Sequence, residues 1–390
     1  MATNFPLARP ARPYFSSGPC AKHPGWQLEY LKNAPFGRSH RSKAGKSRLK
    51  LAIDLTREVL QVPPDYRIGI IPGSDTGAVE AALWSLLGPR GVDVFGWESF
   101  SKHWVEDVVE HLKIPNARAF VAGYGELPGL SRADFRNDVV FAWNGTTSGV
   151  RVPDARWIAA DREGLTICDA TSAAFAQRLD WAKLDATTFS WQKALGGEAA
   201  HGMLILSPRA IERLQTHTPP WPVPKLFRLA DHGKLNAAIF EGETINTPSL
   251  MCVEDYLDAL NWAKSLGGLQ ALIGRADANA KALSDWAERT PWIDFLAADP
   301  KIRSNTSICL KVVDPAVTAL PQAGQAAFAK SIVDFLEREG VAFDIGSYRD
   351  APPGIRIWCG ATIETFDIEA LTPWLDYAFE KMKAELPKAA

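Results

Sequence analysis

Lys193 lies in Ser190-Trp191-Gln192-Lys193-Ala194-Leu195-Gly196-Gly197, between an apolar strand and a glycine pair. Asp169 closes another apolar run, Leu165-Thr166-Ile167-Cys168-Asp169. A primary amine and a carboxylate at neighbouring strand ends can do one particular chemistry. The amine can hold an aldehyde covalently as a Schiff base, and the carboxylate can keep a pyridine nitrogen protonated, which together are what pyridoxal phosphate (PLP) requires. Taken alone, each residue has a plainer reading. A lysine after a strand is more often a solvated loop residue, and an Asp at a strand end is more often a turn or a helix N-cap.

Further motifs reverse that balance. Pro72-Gly73-Ser74-Asp75-Thr76-Gly77-Ala78 reads as a strand, a turn and a helix start with small residues. Free N–H groups and the positive end of the helix dipole make such a turn a phosphate cradle. It is neither a dinucleotide fingerprint nor a P-loop, and Ser, Asp and Thr also cap helices that bind nothing. Asn144-Gly145-Thr146-Thr147-Ser148-Gly149 is a polar turn directly after the apolar run Val139–Trp143, suited to hydrogen-bonding a cofactor hydroxyl. Thr244-Ile245-Asn246-Thr247-Pro248 precedes a long helical pattern.

The elements that must position these residues follow from periodicity. Short β-rich runs at 67–71, 92–95, 117–121, 138–143, 165–169, 186–190 and 202–206 alternate with helical patterns, among them 76–87 and 99–112. Alternation of this kind predicts an α/β sheet, mostly parallel and covered on both faces, with ligands at the carboxyl ends of its strands. After Pro248, Leu250, Val253, Leu257 and Leu260 fall on one helical stripe, Gly267-Gly268 interrupts it, and a second helix runs to about Trp286. Beyond that the rhythm changes. Strands are predicted at 307–313, 341–345 and 354–359, with helices over 325–339 and from about Asp367. This reads as a small α+β unit, with the proline-rich N-terminal arm packed near it.

Composition excludes several classes. With 390 residues, 46% hydrophobic and 23% charged, the chain is an ordinary globular one, and its net charge of −2 gives no general drive toward nucleic acid or anionic membranes. The basic run Arg38–Arg48 lacks the broad basic face and stacking aromatics of a nucleic-acid site; as a solvated loop or an anchor for a small anion it needs neither. Five scattered cysteines form no CxxC pair, and no histidines cluster at metal spacing, so reduced thiols and no metal are expected. No run approaches membrane-spanning length and no signal stretch opens the chain, which makes the cytoplasm the expected compartment.

In this order the motifs resemble the class V aminotransferase family, a PLP fold-type I group, over nearly the whole chain. The marks are Phe15-Ser16-Ser17-Gly18-Pro19, Ser39-His40-Arg41, Asp75-Thr76-Gly77, Asn144-Gly145-Thr146, Asp169, Gln192-Lys193, Asn246-Thr247-Pro248 and Gly354-Ile355-Arg356. The first two point to the phosphoserine branch. The resemblance implies a large domain over 21–260 with a seven-stranded-type sheet sandwiched by helices, a small C-terminal domain over 261–390, and an arm over 1–20. It implies that Lys193 forms the internal aldimine and moves the proton at Cα, while Asp169 holds the pyridine nitrogen. Thr146 would bind the ring hydroxyl, and the backbone of Asp75 and Thr76, with Gln192, would hold the phosphate. Asn246 and Thr247 would reach that phosphate from a second subunit, in a homodimer with shared sites.

For the substrate, the resemblance places Arg356 on the α-carboxylate, His40 and Arg41 on the phosphate across the dimer, and Arg349 nearby. The implied reaction takes 3-phosphohydroxypyruvate and glutamate to O-phospho-L-serine and 2-oxoglutarate, in serine biosynthesis; the 4-phosphohydroxythreonine analogue of pyridoxine biosynthesis is left open. The chain departs from the family at two places. Phe100 aligns with the Trp that stacks on the ring, with Trp97 and Trp104 as alternatives, and Thr76 stands where many members carry Arg. Two other readings stay open: a different class V activity (an alanine– or serine–glyoxylate transaminase, or a cysteine desulfurase), and a non-catalytic α/β binding protein.

Overall fold

The structure, a computed structural model, describes residues 8–386; the first seven residues of the expected arm and the last four of the chain lie outside the described residues. Seven strands build the principal sheet: β1 (Arg67–Pro72), β2 (Val92–Gly96), β3 (Arg118–Val121), β4 (Asp138–Ala142), β5 (Thr166–Asp169), β6 (Ala186–Ser190) and β7 (His201–Leu206). Their order is β1-β7-β6-β5-β4-β2-β3. Only β7 runs against the rest, pairing antiparallel with β1 and β6, while the β6-β5-β4-β2-β3 pairings are parallel.

Burial explains why these runs carry apolar residues at successive positions. On β7, Met203 and Ile205 join the core on one face, and Leu204 and Leu206 join the core on the other. The first core is closed by α1 (Lys43–Leu60) and α5 (Leu250–Ser265), the second by α2 (Ser74–Leu86). The expected helix over 99–112 is α3 (Ser99–Glu106) followed by a π-helical turn over Asp107–His111. Between α3 and α5 in the chain, α4 is Pro208–Thr216.

The C-terminal part holds a three-stranded antiparallel sheet, β8 (Ile293–Phe295), β9 (Ser307–Val312) and β10 (Ile355–Trp358), with α6 (Leu269–Arg289), α7 (Gln322–Arg338) and α8 (Thr365–Ala384). The strand expected at 341–345 does not form. Asp344 adopts φ of 58°, which breaks an extended run, and only isolated bridges from Phe343 to Tyr14 and from Gly346 to Ile355 remain. The third strand is instead β8, three residues long. The N-terminal arm crosses this region: Phe343 N donates to Pro13 O at 2.8 Å, Trp358 N to Phe15 O at 3.0 Å, and Ala11 N to Asp367 Oδ1 at 2.6 Å.

Candidate active site

The carboxyl ends of β1, β2, β4, β5 and β6 share one edge of the sheet, because these five strands run the same way. A cavity of about 240 Å³ opens there, lined by residues that include Gly18, Asp75, Phe100, Thr146, Asp169 and Lys193. A larger groove of about 670 Å³, around Leu60, Trp143, Arg156 and Trp181, holds none of the motif residues.

Lys193 follows β6 and is buried, with Nζ donating to Ser17 O at 2.6 Å. Burial lowers its pKa and Arg356 adds to the effect, while Cys20, Asp169 and Glu98 oppose it. An amine held this way spends more of its time neutral and nucleophilic than a solvated lysine does. The approach to it is shaped by Gly18: a Cβ there would stand 2.3 Å from Nζ.

Asp169 ends β5 half-buried. Its Oδ1 accepts from Thr171 N at 2.9 Å and its Oδ2 from the indole N–H of Trp104 at 3.0 Å. Trp143 N, at the end of β4, donates to Asp169 O at 2.7 Å and ties the two strand ends together.

At the end of β1, Gly73 takes φ of 85° and Ser74 φ of 58°, and α2 begins at once. Gly77 lets the helix start press onto the strand, since a Cβ there would stand 2.0 Å from Pro72 O. No side chain caps α2; Ser74 N donates to Ala200 O at 3.3 Å and Gly77 N to Gly73 O at 3.0 Å, which leaves the N–H groups of Asp75 and Thr76 to an outside acceptor. Gln192 Nε2 donates to Ser74 Oγ at 3.0 Å, which brings the Lys193 loop against this turn. Thr76 is exposed at the rim.

Thr146 is held by residues remote in sequence: Thr146 Oγ1 donates to Ser172 Oγ at 2.9 Å, and Ser307 Oγ donates to Thr146 O at 2.6 Å. Phe100 lines the cavity, half-buried, with its ring 5.4 Å from Tyr348. Of the alternatives named for stacking, Trp97 lies outside the cavity. It is fully buried in an apolar cluster, and its indole N–H faces Val150 O at 3.3 Å. Trp104 is in the cavity, where its indole N–H is committed to Asp169.

Arg356, on β10, is half-buried with Nε unpartnered, and its guanidinium lies 5.7 Å from the Tyr348 ring. Arg349 is exposed beside Asp350 at 3.5 Å and lines a neighbouring cavity instead. His40, Arg41, Asn246 and Thr247 do not line the cavity of this single chain. His40 is buried at the approach to α1, and the other three are exposed. His201, His103 and His111, read as structural or exposed, are not in the cavity lining either.

Sequence reasoning missed two participants. Glu98 is 1% exposed, lines the cavity, and caps α3 by accepting from Ser101 N at 2.6 Å; it also accepts from Thr147 Oγ1 at 2.8 Å. The spacing of Glu98 to Ser101 signals a cap, but nothing local joins it to Thr147. The second is the side chain of Asp75, expected to contribute backbone only. It is buried beside Asp169, and burial and that second carboxyl together raise its pKa.

The cavity fits a phosphorylated pyridine aldehyde. It offers a buried amine, an acid braced by two donors, an uncapped helix start and an aromatic wall. Asp75 Oδ1, Ser190 Oγ and Gln192 Oε1 belong to lining residues and have no hydrogen-bond partner within the protein, which suits a polar ligand. No cluster of His, Cys, Asp and Glu suited to a metal occurs among the described residues.

No protein-family model matches the chain. It is 57% identical over 378 residues to the phosphoserine aminotransferase of Methanosarcina mazei, covering 97% of this chain and 100% of the relative. It is 56% identical, with the same coverage, to that of Methanosarcina barkeri. Among solved structures, the phosphoserine aminotransferase of Cytophaga hutchinsonii superposes with a TM-score of 0.78 at 21% identity, over 94% of this chain and 98% of the other. The mostly parallel seven-stranded sheet with helices on both faces is that of the fold-type I PLP enzymes. Within that class, the chain belongs to the phosphoserine aminotransferase family.

Proposed function

We propose that the chain catalyses PLP-dependent transamination between glutamate and 3-phosphohydroxypyruvate, giving 2-oxoglutarate and O-phospho-L-serine. The observation that carries this reading is the buried, pKa-lowered amine of Lys193 in one cavity with Asp169 and the open first turn of α2. Bound there, PLP supplies an aldehyde that takes up an amino group and a ring that accepts the electron pair left when Cα loses its proton. Lys193 is the amine that would hold that aldehyde and the base that moves the Cα proton. Asp169, braced by Thr171 N and Trp104, would hold the proton on the ring nitrogen. The first turn of α2, Ser74 and Gln192 would take the phosphate, Thr146 the ring hydroxyl, and Phe100 one ring face.

Arg356, with its unpartnered Nε, suits the substrate α-carboxylate, since a guanidinium can grip two oxygens at once. His40 and Arg41 are assigned to the substrate phosphate, and Asn246 and Thr247 to the cofactor phosphate, from the second subunit of a homodimer. Arg349 is assigned to the rim of the substrate site. In support of pairing, the turn Leu28–Leu31 packs on α5 and leaves Leu28, Tyr30 and Met251 exposed, an apolar surface that asks for a cover. The large unit over 21–260 and the small unit over 261–390 are proposed as separate domains on the strength of their separate sheets.

A cysteine-based activity fits less well. Burial pushes the Cys20 and Cys309 thiols up to about 12, so the thiols whose charge is coupled to Arg356 stay protonated. The PLP-loaded protein is expected to lose its visible absorbance on adding O-phosphoserine or glutamate, and to keep it with serine or alanine. An equal response to serine would overturn the roles of His40, Arg41 and Arg349. A protein that stays colourless with added PLP would overturn the cofactor.

A further inference from the structure

Two carboxyl groups, Asp75 and Asp169, line the same cavity, and the role of an acid on the ring nitrogen uses only one. Asp75 enters from the first turn of α2 and is 7% exposed, and its Oδ1 has no partner and almost no contact with solvent. Asp169 comes from β5. Its two oxygens already accept from Thr171 N and Trp104 Nε1. The Thr171 and Thr188 hydroxyls lie close enough to Asp75 to favour its charged form, yet neither completes a hydrogen bond.

Two like charges sharing a dry site cannot both be kept, so one carboxyl retains a proton. Asp75 is the more buried of the two. Its place in the first turn of a helix would ordinarily favour a carboxylate, but only modestly. Burial of a lone carboxyl is worth several times that. The same helix start is the turn offered to the cofactor phosphate, and a second anion there would repel it. The other titratable groups around the pair are Cys168 on β5, whose thiol is raised by burial and by both carboxyls, and Lys193 and Glu98, whose charges act on or respond to Asp169.

We propose that Asp75 is a positioning residue that works as a neutral carboxylic acid, donating its proton in a hydrogen bond to the Asp169 carboxylate. Asp169 then carries three donors instead of two, which fixes its orientation toward the ring nitrogen. Asp75 also adds no charge to the phosphate turn. This rests on the PLP reading of the cavity for its purpose, and on Asp75 and Asp169 alone for its geometry.

Three forms of the chain test it: wild type, Asp75→Asn and Asp75→Ala. In the cofactor-free protein at pH 7.5, infrared difference spectra of wild type against Asp75→Asn are expected to show the carbonyl band of a neutral carboxylic acid assigned to Asp75. In the PLP-loaded protein, Asp75→Asn, which always donates, should shift the cofactor dissociation constant and the pH dependence of the visible absorbance less than Asp75→Ala does. Asp75→Ala should weaken PLP binding about tenfold, as expected for a lost hydrogen bond to a charged group, and move the pH dependence. A missing carbonyl band overturns the proposal, and so does an Asn variant that shifts as far as the Ala variant. A wild type that shows the band but takes up no PLP overturns the cofactor reading instead, so the two failures are told apart.

Discussion

A methyl group added at Gly18 would stand 2.3 Å from Lys193 Nζ, 3.1 Å from its Cε and 3.5 Å from its Cδ. The lysine is the mobile end of that clash and can swing aside at small cost in stability. It is also the reacting atom, and a reactive group displaced by an ångström can lose about 100-fold in rate. Gly18 also takes φ of 151°, a backbone conformation open to glycine but strained for alanine, so Gly18→Ala is expected to lose about 1–3 kcal/mol of stability while kcat, measured well below the melting temperature of the variant, falls about 100-fold. A folded variant with normal kcat would show that Gly18 does not shape the approach to the amine. Lys193 and Asp169 were legible as candidates only in company with the turns at 73–77 and 144–149, since a lysine or an acid at a strand end is by itself an ordinary loop or cap residue. Glu98 and the Asp75 side chain were not, and Trp104 was named only for stacking. Their partners, Thr147 and Asp169, lie on other strand ends, and sequence spacing says nothing about which ends meet.

The elements were legible to the extent that burial is two-sided. β6 and β7 are buried at every position, so their unbroken apolar and small residues mark them plainly. β8 has three residues, too short for a period, and the run at 341–345 has the right composition for a strand but a left-handed Asp344 in it. His201, the first residue of β7, shows how one element fixes its neighbours. Its ring stacks on Trp191 at 4.8 Å, Trp191 stacks on Tyr256 of α5 at 4.6 Å, and Ser249, the N-cap of α5, donates its N–H to His201 Nε2 at 3.2 Å. Burial lowers the pKa of this imidazole from 6.5 to about 4. Between those values the unfolded chain binds the proton and the folded chain does not, so stability is intact above pH 6.5 and falls as the pH drops toward 4. The full loss is on the order of 3 kcal/mol. Urea unfolding at pH 7.5 and pH 5 should show this fall, and His201→Gln, which keeps an acceptor without a titration, should flatten it. An unchanged pH dependence in that variant would assign the acid sensitivity elsewhere.

At the scale of the whole molecule, the site joins parts of the chain that are remote in sequence. The arm delivers Phe15 to the core and its carbonyl to Trp358 of β10, then passes Ser17 to Lys193, and Cys20 N donates to Gln192 O at 2.8 Å. The two sheets thus meet at the amine through the arm, and Arg356 enters from the second of them. Among the described residues, no arginine lines the cavity of one chain, and neither His40, Arg41, Asn246 nor Thr247 does. If those residues serve the partner's cavity, each working site takes Lys193 from one subunit and Arg41 from the other. Two inactive variants, Lys193→Ala and Arg41→Ala, then repair each other when refolded together from an equal mixture. In the mixed dimer one site collects both defects and the other collects none. Half of the dimers are mixed and half of their sites are intact, so activity should recover to roughly a quarter of wild type, against little in either variant alone. Arg41 acting within its own chain would leave the mixture no better than the average of the two variants, and size-exclusion measurement of the mixed species separates that result from a failure to exchange subunits.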